Sequence, residues 1–210
     1  MANCIWFFIS ILGVICLIPI HFLSVEHLKL QEKYGKEKGD KIAKILGMIS
    51  GWGFFIFLFG IWISPQPRFT IPFFQDLAIV IPIINLSIPL FHLIVSILLI
   101  ILGAWFAIAG VKEVTLKVAE THKPEKVITT GIYSRIRHPQ YFGTIVVHVG
   151  FSLLLSSLYS LLSTPLIIFY NYITSWKEEK ELIKEFGKEY EEYKKKVPML
   201  YPKLRRERKR

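Results

Sequence analysis

Two clusters of polar, titratable residues stand where long apolar runs of this chain begin and end. The first, RHPQY at residues 137–141, lies between a basic stretch and an apolar run, and the second, KEE at residues 177–179, closes the next apolar run. Histidine, tyrosine and glutamate can hold or move protons, and such groups are costly to place at the edge of a membrane segment without a use. We therefore take the two clusters as the candidate site and ask which elements bring them together.

The composition is that of an integral membrane protein. Of the 210 residues, 52% are hydrophobic, and the mean hydropathy is +0.44. A soluble domain of this size needs far less apolar surface. Five segments approach the ~20 apolar residues that cross a bilayer as a helix: these are residues 5–23, 45–63, 91–111, 142–158 and 161–176. The sequence therefore predicts an all-α membrane protein with about five transmembrane helices.

One further apolar segment, residues 77–88, is too short for a span. It contains Pro82 and lies next to Pro89, and proline disfavours the interior of a helix. We expect a re-entrant or interfacial piece near residues 73–89.

The distribution of lysine and arginine predicts the orientation. Of the 26 Lys and Arg, six lie in residues 24–44, six in residues 112–137 and thirteen from residue 177 onward, which leaves Arg68. Because these residues accumulate on the cytoplasmic side, five spans place the N-terminus outside and the C-terminus inside. A sixth span would put a basic loop on the wrong face. The net charge of +10 is read as a topology signal and an attraction to anionic lipid, and no nucleic-acid partner is expected.

Several classes of site find no support in the sequence. There is no CxxC or HExxH spacing, so no metal site is expected, and there is no GxGxxG loop of the soluble nucleotide-binding folds. The first apolar segment has no preceding basic residue and is expected to stay as an anchor. We divide the chain into membrane helices at residues 1–111 and a catalytic module at residues 112–210. The sequence does not indicate an oligomeric state.

The proline of the first cluster predicts where a helix starts. Proline is well tolerated at the first position of a helix, so the fourth span should begin with His138 at or next to its cap. The free N–H groups of that helix end then lie beside Arg135 and Arg137, where a carboxylate or phosphate would be held.

A hairpin of the last two spans would bring the clusters together. If its turn lies near Tyr159, then Tyr141 comes about 18 positions before the turn and Glu178 about 18 after it, at the same height along the two helices. A pocket between these helix ends would collect His138, Tyr141, Glu178 and Glu179.

An amphipathic helix is predicted to continue from the fifth span. Apolar side chains recur at helical spacing between lysines and glutamates, at Leu182, Ile183, Phe186, Tyr190 and Tyr193. This helix either lies on the membrane or folds back as a lid over the pocket, and Gly187 is the candidate point for the bend.

These motifs resemble a known superfamily. GIY at residues 131–133, RHPQY followed by Gly143, and KEE followed by Leu182, Phe186, Gly187, Tyr190 and Tyr193 are similar to the isoprenylcysteine carboxyl methyltransferase and phospholipid methyltransferase superfamily. The resemblance covers about residues 127–202. It implies a cytoplasm-facing site for S-adenosylmethionine within a helical membrane domain, and a lipophilic or lipid-modified methyl acceptor that enters from the bilayer.

The resemblance also implies roles for individual residues. Those expected to bind the cofactor are Val127, Ile128, Gly131, Tyr133, Arg137, His138, Tyr141, Glu178 and Glu179. Glu178 would also stand near the transferred methyl group, where its carboxylate accepts the acceptor's proton or orients the acceptor, and Glu179 would support the site. We take Glu178 and Asn171 as the catalytic candidates.

One departure from the family pattern concerns the acceptor. Prenylcysteine methyltransferases resemble one another in an arginine four residues before the first glutamate of the pair, and this chain has Thr174 there. An arginine fork is the natural partner of a substrate carboxylate. Either Lys177 or Arg137 compensates, or Asn171 offers a neutral hydrogen bond, so the acceptor is a prenylcysteine-like carboxylate or a lipid amine or hydroxyl.

Two alternatives remain at this point. The closing residues, with Val197-Pro198 and Tyr201-Pro202, resemble those of NADPH-dependent sterol and steroid reductases, and a non-catalytic membrane scaffold would need no site.

The histidines also have structural readings. His148 is an intramembrane group expected to bond to a neighbouring helix. The other four outside the RHPQY cluster are expected to be interfacial or exposed, namely His21, His27, His92 and His122.

Overall fold

The computed structural model describes residues 4–71, 77–84, 86–121 and 126–203, most of which are helical. The elements in chain order are α1 Ile5–Val25, α2 His27–Tyr34, α3 Lys36–Ile63, β1 Ala78–Ile81, β2 Leu86–Pro89, α4 Leu90–Thr121, α5 Pro139–Leu154, α6 Leu158–Leu162, α7 Thr164–Phe186 and α8 Lys188–Lys196. Two short 3-10 turns, Pro82–Ile84 and Gly131–Ser134, complete the list.

Three helices are long and apolar enough to cross a membrane. They are α1, α3 and the part of α4 from Leu90 to Val114. Helix α5 has 16 residues, about 24 Å of length against a hydrocarbon core of about 30 Å. Helix α7 becomes charged from Lys177, which leaves a short apolar first half. Length and composition therefore establish three candidate spans in the described part of the chain, and the five-span arrangement stays a prediction.

The segment around residues 78–89 differs from the all-α prediction. Strands β1 and β2 pair antiparallel, with Ala78 opposite Pro89 and Ile81 opposite Leu86, and Pro82 opens the turn between them. Apolar β-branched residues favour strands, and the two prolines occupy a turn and a strand end, where their missing N–H is tolerated. Residues 72–76 and 85 lie outside the described residues, and the interfacial position of this hairpin stays a prediction.

Helices α4 and α5 approach each other closely through glycine. A Cβ on Gly103 would lie 2.6 Å from the carbonyl oxygen of Gly143, and a Cβ on Gly143 would lie 2.5 Å from that of Gly103. Only residues without a side chain permit this crossing. It fixes the start of α5 beside the cytoplasmic half of α4 in the predicted orientation. Helix α4 runs unbroken across residues 111 and 112. The division of the chain into residues 1–111 and 112–210 stays a prediction.

A hydrophobic core joins α1, α3 and α7. Its buried members are Phe7, Val14, Leu17, Phe54, Leu58, Ile61, Ile167 and Tyr170. At one end of this core, Lys177 Nζ of α7 lies 2.6 Å from Glu26 Oε1, at the end of α1. The ion pair ties α1 to the part of α7 that carries the acidic cluster.

The structure buries more histidine than we expected. His21, His27 and His92 are all buried in the protein, so they are not exposed side chains. An interfacial position of these residues stays a prediction, and His122 lies outside the described residues. His148 accepts a hydrogen bond of 3.0 Å on Nδ1 from Trp62 Nε1 of α3, as expected for a structural histidine. A buried imidazole escapes sequence reasoning because burial depends on which helix packs against it.

Candidate active site

The first cluster forms the start of α5. The helix begins at Pro139 with His138 as its cap residue, which confirms the predicted boundary. The backbone N–H groups of Arg137 and His138 donate to the carbonyl oxygens of Pro198 and Met199, at 3.0 and 3.1 Å. The chain after α8 therefore lies against the N-terminal end of α5.

Helix α7 brings the acidic cluster to the same level. The Tyr141 hydroxyl donates to Glu178 Oε1, and His138 Nδ1 lies 3.6 Å from Glu178 Oε2. On its other side, His138 Nε2 lies 3.3 Å from Glu179 Oε1. The His138 and Tyr141 rings stack with centroids 5.5 Å apart. The structure thus brings together the four residues that the hairpin argument placed in one pocket.

Glu179 is a buried carboxylate with cations on both oxygens. Its residue is 1% exposed, Arg137 Nε lies 2.6 Å from Oε1, and Lys194 Nζ lies 3.2 Å from Oε2. Burial alone would raise the pKa of Glu179, but the hydrogen bonds and charges of His138 and Arg137 outweigh it and lower the pKa to about 2. Glu179 is therefore ionised at neutral pH and holds Arg137 in place.

Arg137 also ties α7 to α8. Its Nη1 donates to the carbonyl oxygen of Lys194 at 2.9 Å and to that of Val197, both at the C-terminal end of α8. These carbonyls have no partner within the helix, so a guanidinium is a fitting donor. Helix α8 is consequently held over the start of α5.

A cavity of about 110 Å³ lies under α8. Gly187 separates α7 from α8 with φ +54°, so the chain bends at the predicted residue and α8 folds back. Tyr190 and Tyr193 of α8 face the cavity, and the Tyr193 hydroxyl donates to the Tyr133 carbonyl at 2.7 Å. Burial, with the nearby Glu178 charge, raises the pKa of Tyr133, so its phenol is neutral.

Most of the predicted cofactor residues line this cavity. They are Val127, Ile128, Tyr133, Arg137, His138, Tyr141 and Glu178. Glu179 lies behind the wall, and Gly131 is also outside it. Gly131 has φ +52°, and a Cβ there would meet the Glu113 carboxylate at 1.7 Å, so the glycine shapes the loop rather than the cavity wall.

Sequence reasoning missed other wall residues. The cavity is also lined by Val114, Lys126, Pro139, Gln140, Leu182 and Phe186. Phe186 and Leu182 belong to the apolar stripe of the predicted lid, so their periodicity was the available signal. Pro139 and Gln140 belong to the RHPQY cluster of the candidate site but had no predicted role. Lys126 is a single polar residue with no spacing that distinguishes it from an exposed surface.

A second cavity, of about 300 Å³, shares the lining residues Gln140 and Tyr141 with the first. Its walls come from five helices: α1 contributes His21, α3 contributes Gly47, Met48, Gly51, Trp52, Phe54 and Phe55, α4 contributes Ala107 and Val111, α5 adds Thr144, and α7 contributes Tyr170 and Asn171. The wall is mainly apolar. Asn171, a catalytic candidate, thus lies in the second cavity and not in the first.

The two cations proposed to replace the missing arginine are engaged elsewhere. Lys177 Nζ lies 2.6 Å from Glu26 and 3.1 Å from Glu181, on the outside of α7. Arg137 is held by Glu179 and α8, as described above. Thr174 is fully buried, and its hydroxyl donates to the Tyr170 carbonyl at 2.8 Å. Among the described residues that line the second cavity, none is lysine or arginine.

Comparison with known proteins shows that part of this chain is similar to two groups of methyltransferases. The profile of the phospholipid methyltransferase family matches residues 91–189, from the start of α4 into α8. The protein-S-isoprenylcysteine O-methyltransferase of Schizosaccharomyces pombe is 37% identical over 87 residues, which are 40% of this chain and 36% of that protein. The enzyme of the same name from Xenopus laevis is 37% identical over 83 residues, 36% of this chain and 26% of that protein.

The matched segment spans about a third of the length of the first relative and about a quarter of the second. Residues 91–189 are similar to phospholipid methyltransferases, and segments of the chain are similar to two isoprenylcysteine methyltransferases, so the resemblance drawn from the motifs is confirmed. Helices α1 to α3 lie before the matched segment.

Proposed function

We propose that this protein is an integral membrane methyltransferase that uses S-adenosylmethionine to methylate a lipophilic acceptor. The observation that carries the proposal is the pair of cavities that meet at Gln140 and Tyr141. One is roofed by α8 and lined by titratable side chains, and the other is apolar and lies between membrane helices. A polar cofactor and an apolar acceptor would each find a matching chamber, with their reacting ends at the junction.

The first cavity fits the cofactor chemically. When bound, S-adenosylmethionine supplies a methyl group carried on a positively charged sulfur. The Glu178 carboxylate and the rings of Tyr141 and Tyr190 attract a positive charge. Phe186 and Tyr193 offer flat apolar faces to an adenine ring. Arg137, with the positive end of α5, would hold a carboxylate.

The second cavity fits an apolar acceptor chain. Its α3 wall contains Met48, Trp52 and Phe55, whose side chains are also exposed on the outside of the protein, where lipid would surround a membrane helix. An acceptor dissolved in the bilayer would therefore enter without crossing water.

We further propose five spans, α1, α3, α4, α5 and α7, with the N-terminus outside and the site cytoplasmic. The ends of these helices form two groups. At the site, Glu26 pairs with Lys177, and at the other end His92 Nδ1 lies 2.9 Å from Ser156 Oγ. The distribution of lysine and arginine along the sequence supports this orientation. In this arrangement α1 and α3 complete the proposed catalytic module of residues 112–210.

Methyl transfer mainly requires correct placement of the acceptor. Alignment of two bound reactants can account for several kcal/mol of the barrier. Glu178 lies at the junction, where its carboxylate accepts Tyr141's hydrogen bond and faces His138. A Glu178→Gln variant should bind cofactor yet methylate on the order of 10²-fold more slowly. Full methylation activity in that variant would rule out an essential charge at this position.

Ligand-induced stabilisation tests the reaction class. A ligand that binds the folded state raises the apparent melting temperature, so S-adenosylhomocysteine should stabilise the purified protein and NADPH should not. Stabilisation by NADPH instead would favour the reductase alternative. No effect of either ligand would favour the scaffold.

A further inference from the structure

The apolar cavity has a buried hydrogen-bond acceptor that the protein leaves unpaired. Asn171 is 1% exposed, and its Nδ2 donates to the Ile167 carbonyl at 2.7 Å. This bond fixes the orientation of the amide, because a carbonyl oxygen accepts only from the nitrogen. Asn171 Oδ1 then has no hydrogen-bond partner among the described residues. An unpaired buried oxygen is costly, and one on a cavity wall calls for a ligand that carries a donor.

A histidine from outside the matched family segment stands at the same cavity. His21 of α1 is 4% exposed and lines the cavity wall. Its Nε2 lies 3.0 Å from Glu178 Oε1, the oxygen that also accepts the Tyr141 hydroxyl. A carboxylate beside an imidazole orients the ring and stabilises its protonated form. The Glu26–Lys177 ion pair holds α1 in this register against α7.

We propose that His21 and Asn171 form the binding site for the acceptor's reacting group, and that this group is an amine or a hydroxyl rather than a carboxylate. Asn171 Oδ1 accepts a hydrogen bond from its N–H or O–H, and His21 takes the proton that it loses. Glu178 positions His21. This inference rests on the proposed function and adds the chemistry of the acceptor to it.

The charges at the cavity favour the same class of acceptor. No lysine or arginine lies among the described residues of its wall, and Glu178 stands directly behind His21. A carboxylate head would be buried beside another carboxylate, with no lysine or arginine among the described wall residues to offset it. A neutral hydroxyl or a neutral amine offers a donor to Asn171 Oδ1, and it carries no negative charge for Glu178 to repel.

The proton balance explains the need for His21. As the acceptor's nitrogen or oxygen forms its bond to the methyl carbon, the carbon–sulfur bond breaks and its electron pair stays on sulfur. The acceptor must release one proton to end as a neutral methylated product. An ionised carboxylate has no proton to release, so a histidine held in place by Glu178 would serve no purpose there.

Three matched probes test the acceptor class in lipid nanodiscs. S-farnesyl cysteamine, S-farnesyl mercaptoethanol and S-farnesyl mercaptopropionate carry the same tail and end in an amine, a hydroxyl and a carboxylate. Binding is measured by competition in the presence of S-adenosylhomocysteine, and turnover with the labelled methyl donor. We expect the amine or the alcohol to bind at least tenfold more tightly than the acid and to be methylated faster. An acid that binds tightest or reacts fastest overturns the proposal.

Two variants test the two residues separately. His21→Asn should lower methylation of the preferred probe at least 30-fold while leaving S-adenosylhomocysteine binding unchanged. The wild-type rate should fall at acid pH because a histidine base becomes protonated there, and the variant should not show this fall. The other titratable groups that face this cavity region are Glu178 and Tyr170 of α7 and Tyr141 of α5. Asn171→Leu should weaken binding of the amine and alcohol about tenfold and leave the acid unaffected. Unchanged rates in His21→Asn, or unchanged binding in Asn171→Leu, overturn the proposal.

His92→Asn is the matched control. His92 is equally buried, but it contacts Ser156 at the other end of the helices, so the folded variant should keep the wild-type order of probes and the wild-type pH profile. If a His21 variant does not fold, the order of probe binding to the wild-type protein still decides the acceptor class. Failure of S-adenosylhomocysteine to bind the wild-type protein would instead refute the proposed function.

Discussion

Two neighbouring glutamates in this protein have different environments. On a helix, adjacent side chains point about 100° apart, so Glu178 lines the cavity while Glu179 points behind its wall. Arg137 and Lys194 offset the charge of Glu179, whereas Glu178 meets Tyr141 and two histidines. Two carboxylates with such different environments commonly have different roles. We propose that Glu179 stabilises the fold and that Glu178 takes part in the reaction.

Removal of the Glu179 carboxylate should be strongly destabilising. In Glu179→Ala the buried Arg137 keeps its charge without a carboxylate partner, and breaking such a buried pair costs about 3–5 kcal/mol. Unfolding in detergent micelles, followed by circular dichroism, measures the loss. Glu192→Ala is the control, because Glu192 pairs with Lys195 on the exposed surface, and it should unfold as wild type does. Equal unfolding of the two variants would contradict the structural role of Glu179.

Acid should destabilise the protein through the same residue. The pKa of Glu179 is about 2 in the folded protein against an ordinary value of 4.5. Because the folded value is lower, the unfolded chain binds a proton first, so the stabilisation is complete above about pH 4.5 and is lost as the pH falls towards 2. The melting temperature of wild type should fall over this range more steeply than that of Glu179→Gln. Parallel curves would show that another group controls acid unfolding.

At the scale of elements, the break between α7 and α8 allows one continuous stretch of sequence to line the first cavity with α7 and to cover it with α8. Gly187 lies between them with φ +54° and ψ −128°, a conformation that residues with a side chain rarely adopt. A Cβ there would meet nothing within 4 Å. Any effect of substitution is therefore backbone strain and not a clash.

Gly187→Ala should weaken cofactor binding. Strain of this kind costs about 1–3 kcal/mol, and if α8 moves to relieve it, S-adenosylhomocysteine should bind about fivefold more weakly or worse. Gly35→Ala is the matched control, since Gly35 has φ +81°, also has open space around its Cβ, and joins α2 to α3. It should lower stability without changing affinity, measured by calorimetry. An unchanged affinity in Gly187→Ala would separate the bend from cofactor binding.

At the scale of the whole molecule, the short helices α5 and α7 decide the topology. If both cross the bilayer, the turn between them is outside and α8 is cytoplasmic. If neither crosses, both regions are cytoplasmic. The side chains of Leu162, 65% exposed at that turn, and of Lys195 on α8 are accessible in the structure.

Cysteine labelling distinguishes these topologies. In a background with Cys4 and Cys16 replaced by alanine, Leu162→Cys should react with a membrane-impermeant maleimide on intact cells. Lys195→Cys should react only after the cells are permeabilised, because the lysine-rich end of the chain stays on the cytoplasmic side. Protection of both positions in intact cells would refute the five-span arrangement.

The sequence by itself determined the features that depend on local spacing. Apolar periodicity predicted the helices, the proline after His138 marked the start of α5, and Gly187 marked the bend before α8. Equal distances from the turn brought Tyr141 to Glu178, because the rise of a helix is constant. The motifs also predicted the similarity to methyltransferases that the comparisons found.

Only the tertiary structure decided which groups from distant helices share a cavity. His21 is more than 100 residues from the motifs, and its sequence neighbours are apolar residues that do not mark it as special. It stands beside Glu178 because the α1, α3 and α7 core packs in one register and the Glu26–Lys177 pair fixes the end of α1. Likewise, nearby glutamates pair with Arg137 and Lys177, and no lysine or arginine is among the described residues that line the second cavity. This charge pairing is set in three dimensions, and spacing along the chain does not encode it.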